Sequence, residues 1–138
     1  LIGIGASSIG KFQQGYIQNA TDIPHYKESI LSGHLPVSKI CTMSKDDHIH
    51  AHVIEKIMCD FGIDLNAVIK DHDLPCEYFK ENISLLDVYI KQGFVEIDNG
   101  HIVRVTPAGR PLTRLIAAAF DAYYSDILPA TKKHARAI

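Results

Sequence analysis

The stretch FVEIDNGHIVRV, residues 94–105, constrains this chain more than any other. Two β-rich runs flank Asn99-Gly100, the dipeptide best suited to the two left-handed positions of a type I′ hairpin turn. The surroundings follow a helical period instead. Ser44-Lys45-Asp46-Asp47 resembles a capping box with Asp in place of Glu. It opens a helix whose stripe is Ile49, Val53, Ile54, Ile57, Met58 and Phe61, with Gly62 as the stop. Asp64 caps a short helix carrying Leu65, Val68 and Ile69. Pro75 stands in the first turn of a third, where Phe79, Ile83, Leu86 and Ile90 share a face and Gly93 ends it. After the hairpin, Thr106-Pro107 opens a last helix lined by Leu112, Leu115, Ile116, Ala119, Phe120 and Tyr123. Three helices, a hairpin and a closing helix is the order of a winged-helix module, and every one of these stripes reads as core packing.

The first third of the chain reads differently. Leu1 to Ile4 is apolar and β-branched, as in a short buried strand running into Gly5. Ala6 to Asn19 reads as a polar loop. Thr21 or Asp22 caps a helix that tolerates Pro24 in its first turn, carries Ile23, Tyr26, Ile30 and Leu31 on one face, and ends at Gly33. His34 to Thr42, with Pro36, reads as a connection. The expected organisation is a remnant at 1–33, a linker at 34–43, a helical winged-helix-like domain at 44–128 and a basic tail at 129–138. At 138 residues and 46% hydrophobic, the chain suits one domain, or one domain plus part of another. Without an initiator Met it is expected to be a truncated or processed product.

Charge and cysteines narrow the function classes. A net charge of −2 gives no strong field for nucleic acid or an anionic membrane. The would-be recognition segment, Ile63 to Gln92, carries Asp64, Asp71, Asp73, Glu77, Glu81 and Asp87 against Lys70, Lys80 and Lys91, which opposes phosphate contact. Cys41, Cys59 and Cys76 form neither a CxxC pair nor a disulfide framework and point to a reducing compartment, hence the cytoplasm. Cys59, beside Met58, reads as a small buried hydrophobe. No apolar run reaches a membrane span and no signal peptide is visible.

Few motifs look chemical. In HIHAH, His48 and His52 lie one helical turn apart while His50 points elsewhere. No His-Glu-x-x-His is present, so a solvated helix face is the reading and no metal site is assigned. No Gly-x-Ser-x-Gly elbow is present. GIGASSIG, residues 3–10, fails as a dinucleotide fingerprint in its spacing. It offers a strand end of little bulk, with backbone and serine hydroxyls open and Ile9 as a flat apolar surface.

The chain resembles the C-terminal part of the oxygen-independent coproporphyrinogen III oxidases, radical S-adenosylmethionine enzymes of heme biosynthesis. The resemblance rests on GIGASSI (3–9), GYIQN (15–19), HYKESI (25–30), VIEKIMCDF (53–61), GFVEID (93–98), VTPAGR (105–110), AFDAYY (119–124) and the terminal ARAI. It implies an α+β, mostly helical fold: a winged-helix-like C-terminal domain preceded by the last strand, loop and helix of a truncated (β/α) barrel. It implies oxidative decarboxylation of two propionates of coproporphyrinogen III to give protoporphyrinogen IX, by way of a 5′-deoxyadenosyl radical. The implied cofactors are S-adenosylmethionine and a 4Fe-4S cluster, whose C-x3-C-x2-C ligands are absent from this chain. The resemblance places Ile9 against S-adenosylmethionine, with Ala6, Ser7 and Ser8 as neighbours. An Ile covered by adenine contributes about 1–2 kcal/mol.

No catalytic residue is assigned to this chain, which is expected to be inactive alone. The implied partners are the substrate and a missing N-terminal barrel domain, with no nucleic acid, no membrane and a monomeric state. The sequence departs from the family at His50-Ala51, where two Arg are frequent, and at Pro111, where Leu is expected and a helix begun at Pro107 would lose a hydrogen bond. Lys132, Lys133 and Arg136 are candidate carboxylate partners in the tail. The alternative the residues leave open is a free-standing winged-helix module that binds protein or nucleic acid.

Overall fold

A computed structural model describes residues 1–124. The chain divides into two compact units, Leu1–Asp47 and a second beginning at His48. The tail residues Lys132, Lys133 and Arg136 lie outside the described residues.

The first unit is a three-stranded antiparallel sheet with one helix. Strands β1 (Ile9–Phe12), β2 (Gly15–Asn19) and β3 (Val37–Thr42) lie in that order, and helix α1 (Ile23–Leu31) joins β2 to β3. Asp22 caps α1 by accepting the His25 N–H at 2.9 Å, Pro24 sits in the first turn, and left-handed Gly33 follows the last.

Three expectations for this unit are corrected. Leu1–Ile4 is not a strand and not buried: Leu1 exchanges hydrogen bonds with Lys11, but Gly5 at φ +100° breaks the extended line, and Ile4 is 89% exposed. The polar loop of residues 6–19 holds the β1–β2 hairpin. Its turn is Gln13-Gln14, which carries no turn signature, and Gly15 permits it because a Cβ there would collide with the Cys41 carbonyl. The connection 34–42 contains β3, which begins just after Pro36 and pairs with β2 through a register shift at Gln18/Asn19.

The second unit has the winged-helix order. Helix α2 (Lys45–Asp60) opens with the capping box: the Asp47 carboxylate accepts both the backbone N–H and the hydroxyl of Ser44 at 2.8 Å, and the Asp47 N–H returns to the Ser44 hydroxyl at 3.1 Å. Ile49, Val53 and Ile57 are buried, whereas Met58 is 41% exposed and Cys59 is exposed, both being turned off that face. This corrects the reading of Cys59 as a core residue. The helix stops at Phe61, left-handed at φ 58°, with the Arg110 guanidinium 4.5 Å above its ring. Gly62 instead opens β4 (Gly62–Asp64), a strand of three residues, too short for its period to register.

Helix α3 (Leu65–His72) is capped by Asp64, which accepts the Asn66 and Ala67 N–H groups at 2.9 and 3.3 Å. The long helix expected from Pro75 is broken into α4 (Lys80–Leu85) and α5 (Asp87–Lys91). Tyr78 bonds back to Pro75 and Lys80 to Glu77, three residues each, so the first turn is tighter than α. Strands β5 (Val95–Asp98) and β6 (Ile102–Val105) form the hairpin, with Asn99 and Gly100 left-handed at φ 52° and 76°. Its sheet order is β4–β6–β5.

Thr106-Pro107 does not start the last helix. Thr106 forms a turn, donating its hydroxyl to the Gly93 carbonyl at 2.8 Å and accepting the Gly109 N–H at 3.2 Å. Tight turns at Arg110–Leu112 and Ala118–Phe120 flank α6 (Thr113–Ala117), so Pro111 falls where no helical donor is missed. The core joins Ile49, Val53 and Ile57 to Leu65, Phe79, Leu86, Val95, Val103, Ile116 and Phe120, while Tyr123 is 60% exposed. Among the described residues no helix is long and apolar enough to cross a membrane.

Candidate functional site

The loop before β1 is built to hold one shape. Asn19, at the end of β2, donates its side-chain amide to the Gly5 carbonyl and to the Ser8 hydroxyl, both at 3.0 Å. The Ser8 hydroxyl in turn donates to the Gly5 carbonyl at 2.7 Å. The Gly5 N–H donates to the Tyr26 hydroxyl of α1 at 3.2 Å, and the Ser7 N–H to the Ala20 carbonyl at 2.8 Å. Held at both sides, Ser7 keeps φ at +61°, an uncommon backbone region for a residue with a side chain.

This loop delivers Ile9 as the first residue of β1 with 55% of its surface exposed. Of the neighbouring residues, Ala6 and Ser8 are half-buried and Ser7 is exposed. The Ser8 hydroxyl is engaged within the loop, so Ser8 shapes the site through the backbone. Asn19 and Tyr26 do the same and were not singled out from sequence. Their only signal is a half-buried amide and phenol, whose polar tips need partners.

The remaining candidates do not converge. His50 packs against Tyr78 and Phe79, with ring centroids 5.7 and 5.9 Å away, and its Nδ1 bonds the Phe120 carbonyl at 2.8 Å. This corrects the reading of HIHAH as a solvated helix face: His50 turns to the core rim and His48 is half-buried, and of the three only His52 is exposed. Among the described residues no group of three His, Cys, Asp or Glu side chains could hold a metal ion. Lys56, hydrogen-bonded to Asp60 at 2.8 Å, and Lys80, hydrogen-bonded to Glu77 at 3.0 Å, are held above the usual lysine pKa by those carboxylates. Both pairs lie open to solvent, so they are solubility features and not a site.

Comparison with known proteins extends the geometry. The family model described as the HemN C-terminal domain matches residues 43–112. The oxygen-independent coproporphyrinogen III oxidase of Bradyrhizobium diazoefficiens is 38% identical over 138 residues, all of this chain and 30% of that protein. The anaerobic coproporphyrinogen III oxidase 1 of Cereibacter sphaeroides is 41% identical over 123 residues, 89% of this chain and 27% of that protein. Among solved structures, coproporphyrinogen III oxidase (HemN) from Escherichia coli, described as a radical SAM enzyme, superposes with a TM-score of 0.82 at 31% identity, covering 89% of this chain and 28% of that one. The chain thus spans less than a third of the length of these relatives.

Proposed function

Because the chain belongs to the HemN C-terminal domain family, we propose that it works as the C-terminal part of an oxygen-independent coproporphyrinogen III oxidase. The whole enzyme would convert two propionates of coproporphyrinogen III to vinyl groups with loss of carbon dioxide, in the cytoplasm. The observation that carries this reading is that the likeness to the Bradyrhizobium oxidase runs through the entire chain.

Within that enzyme this segment's share is binding and shape. Ile9 offers an apolar surface for the adenine of S-adenosylmethionine, worth about 1–2 kcal/mol when covered. When bound, that cofactor supplies the hydrogen-abstracting chemistry. The Asn19–Ser8–Gly5 bonds fix where Ile9 stands before the ligand arrives, which lowers the ordering cost of binding. The iron–sulfur cluster does not fit this chain: its cysteines at 41, 59 and 76 are exposed and widely spaced, and no C-x3-C-x2-C is present. The cluster ligands therefore belong to the preceding barrel segment.

The test is anaerobic reconstitution of the full-length protein carrying this chain, with coproporphyrinogen III and S-adenosylmethionine, scored by protoporphyrin after oxidation. Conversion is expected, and an Ile9→Asp variant should lose most of it while retaining its iron. Absence of conversion by a protein with a full cluster would overturn the assignment.

A further inference from the structure

Asn19 ends β2 on the face of the first sheet that Ile9 does not share. Alternation along GYIQN puts Ile17 and Asn19 together, and both line a hollow of about 280 Å³ with Phe12 and Tyr26. Ile9 pairs with Gln18, and residues paired across strands share a face, so Ile9 looks the other way. Strand pairing slips at the same point. Gln18 stands opposite Lys39 but Asn19 opposite Val37, which leaves Ser38 as an extra residue on β3. Such a bulge sharpens the local twist and re-aims the side chains beside it. Here the Asn19 amide is aimed into the loop before β1. Its two N–H groups meet three acceptors: the Gly5 carbonyl and the Ser8 hydroxyl at 3.0 Å, and the Gly3 carbonyl at 3.4 Å. Its backbone N–H adds a bond to the Ser8 carbonyl at 3.0 Å. Gly3 is itself pressed against the contact residue, since a Cβ there would stand 2.9 Å from the Ile9 carbonyl carbon. One residue thus ties the loop on both sides of left-handed Ser7.

Resting on the reading of Ile9 as a cofactor contact, we infer that Asn19 is a positioning residue for S-adenosylmethionine binding, aimed by the bulge and acting only through the loop. Ser7 holds φ at +61°, a conformation that persists where its surroundings over-determine it. Removing the amide frees the loop to relax, and Ile9 is then presented correctly in only part of the population. Apparent affinity falls by that fraction. The Ser8 hydroxyl keeps its own bond to the Gly5 carbonyl, so the loss is partial. An amide with a structural role alone would satisfy the same carbonyls. Its removal would lower stability and leave the affinity of the folded protein unchanged.

Equilibrium binding of S-adenosylmethionine to the full-length protein with its cluster loaded separates these roles. Asn19→Ala removes the amide, and Asn19→Asp keeps its shape without the N–H donors. Both should weaken binding about five- to tenfold at unchanged iron content, the scale of one net hydrogen bond. In turnover, KM for S-adenosylmethionine should rise with kcat little changed, the mark of lost binding and not of lost chemistry. Coproporphyrin III, the air-stable oxidised tetracarboxylate, is the control probe and should bind as before. An equal loss for both probes, or a lower melting temperature with unchanged cofactor affinity, overturns the proposal. Should neither Asn19 variant fold, Ser8→Ala removes a single partner of the amide and should weaken cofactor binding about threefold; unchanged affinity there overturns it as well. Ile9→Ala keeps the two readings apart. Weaker cofactor binding by Ile9→Ala with silent Asn19 variants sinks the positioning role alone, whereas a silent Ile9→Ala sinks the cofactor contact.

Discussion

The imidazole of His50 closes the tight turn Ala118–Phe120 that follows α6. Its Nδ1 meets the Phe120 carbonyl at 2.8 Å, and the Asn82 amide donates to the adjoining Ala119 carbonyl at 2.9 Å. Helix ends leave carbonyls unsatisfied, and here two side chains supply the partners. His50→Ala and Asn82→Ala should therefore each destabilise the protein by about 1–2 kcal/mol in denaturant titrations. His52→Ala, on the exposed side of α2, should stay within about 0.5 kcal/mol. Equal effects at positions 50 and 52 would refute this division of roles. Asp64→Ala, which removes the α3 cap, should cost about 1 kcal/mol by the same measurement. The cap was legible because Asp before a helical stripe is a local signal. The His50 bond was not, since its partner stands 70 residues away and no local spacing encodes it.

Elements show the same split between local and distant causes. The β5–β6 hairpin and the α2 capping box follow from adjacent residues and were readable. The β1–β2 hairpin was hidden because Gln13-Gln14 carries no turn preference, and the residue that admits it, Gly15, is required both by its φ of +142° and by the Cys41 carbonyl of a strand far along the chain. Strand β4 is three residues long and β3 follows a proline, so both lacked the alternation that marks a strand. Of the candidate site, Ile9 is a proposal that the resemblance alone supplies, while the Asn19–Ser8–Gly5 network that places it depends on tertiary contact. Gly15→Ala tests the hidden hairpin. The added methyl would push β2 off β3, with a loss of more than 1 kcal/mol and faster amide exchange across the sheet. Replacing Asn99-Gly100 by Ala-Ala should destabilise the second unit by about 1–2 kcal/mol, because both positions are left-handed.

At the scale of the whole molecule, the two units differ in how much they bury. Every residue of the large core cluster lies at Ile49 or beyond, whereas in the first unit Ala20 is the buried apolar residue and Leu1, Ile2, Ile4, Leu31 and Leu35 are 75–89% exposed. A unit of about this size has too little core to fold without help. On the reading of the chain as part of a longer oxidase, the preceding barrel supplies the missing cover. The domain division proposed from sequence then becomes a statement about cooperativity. A fragment of residues 44–128 should unfold in one transition with coincident near- and far-ultraviolet circular dichroism. A peptide of residues 1–43 should show no cooperative transition, because its hydrogen-bonded sheet has no buried face large enough to offset backbone entropy. Cooperative melting of the 1–43 peptide would mean that the exposed apolar residues are not awaiting a partner, and the division would fail with it.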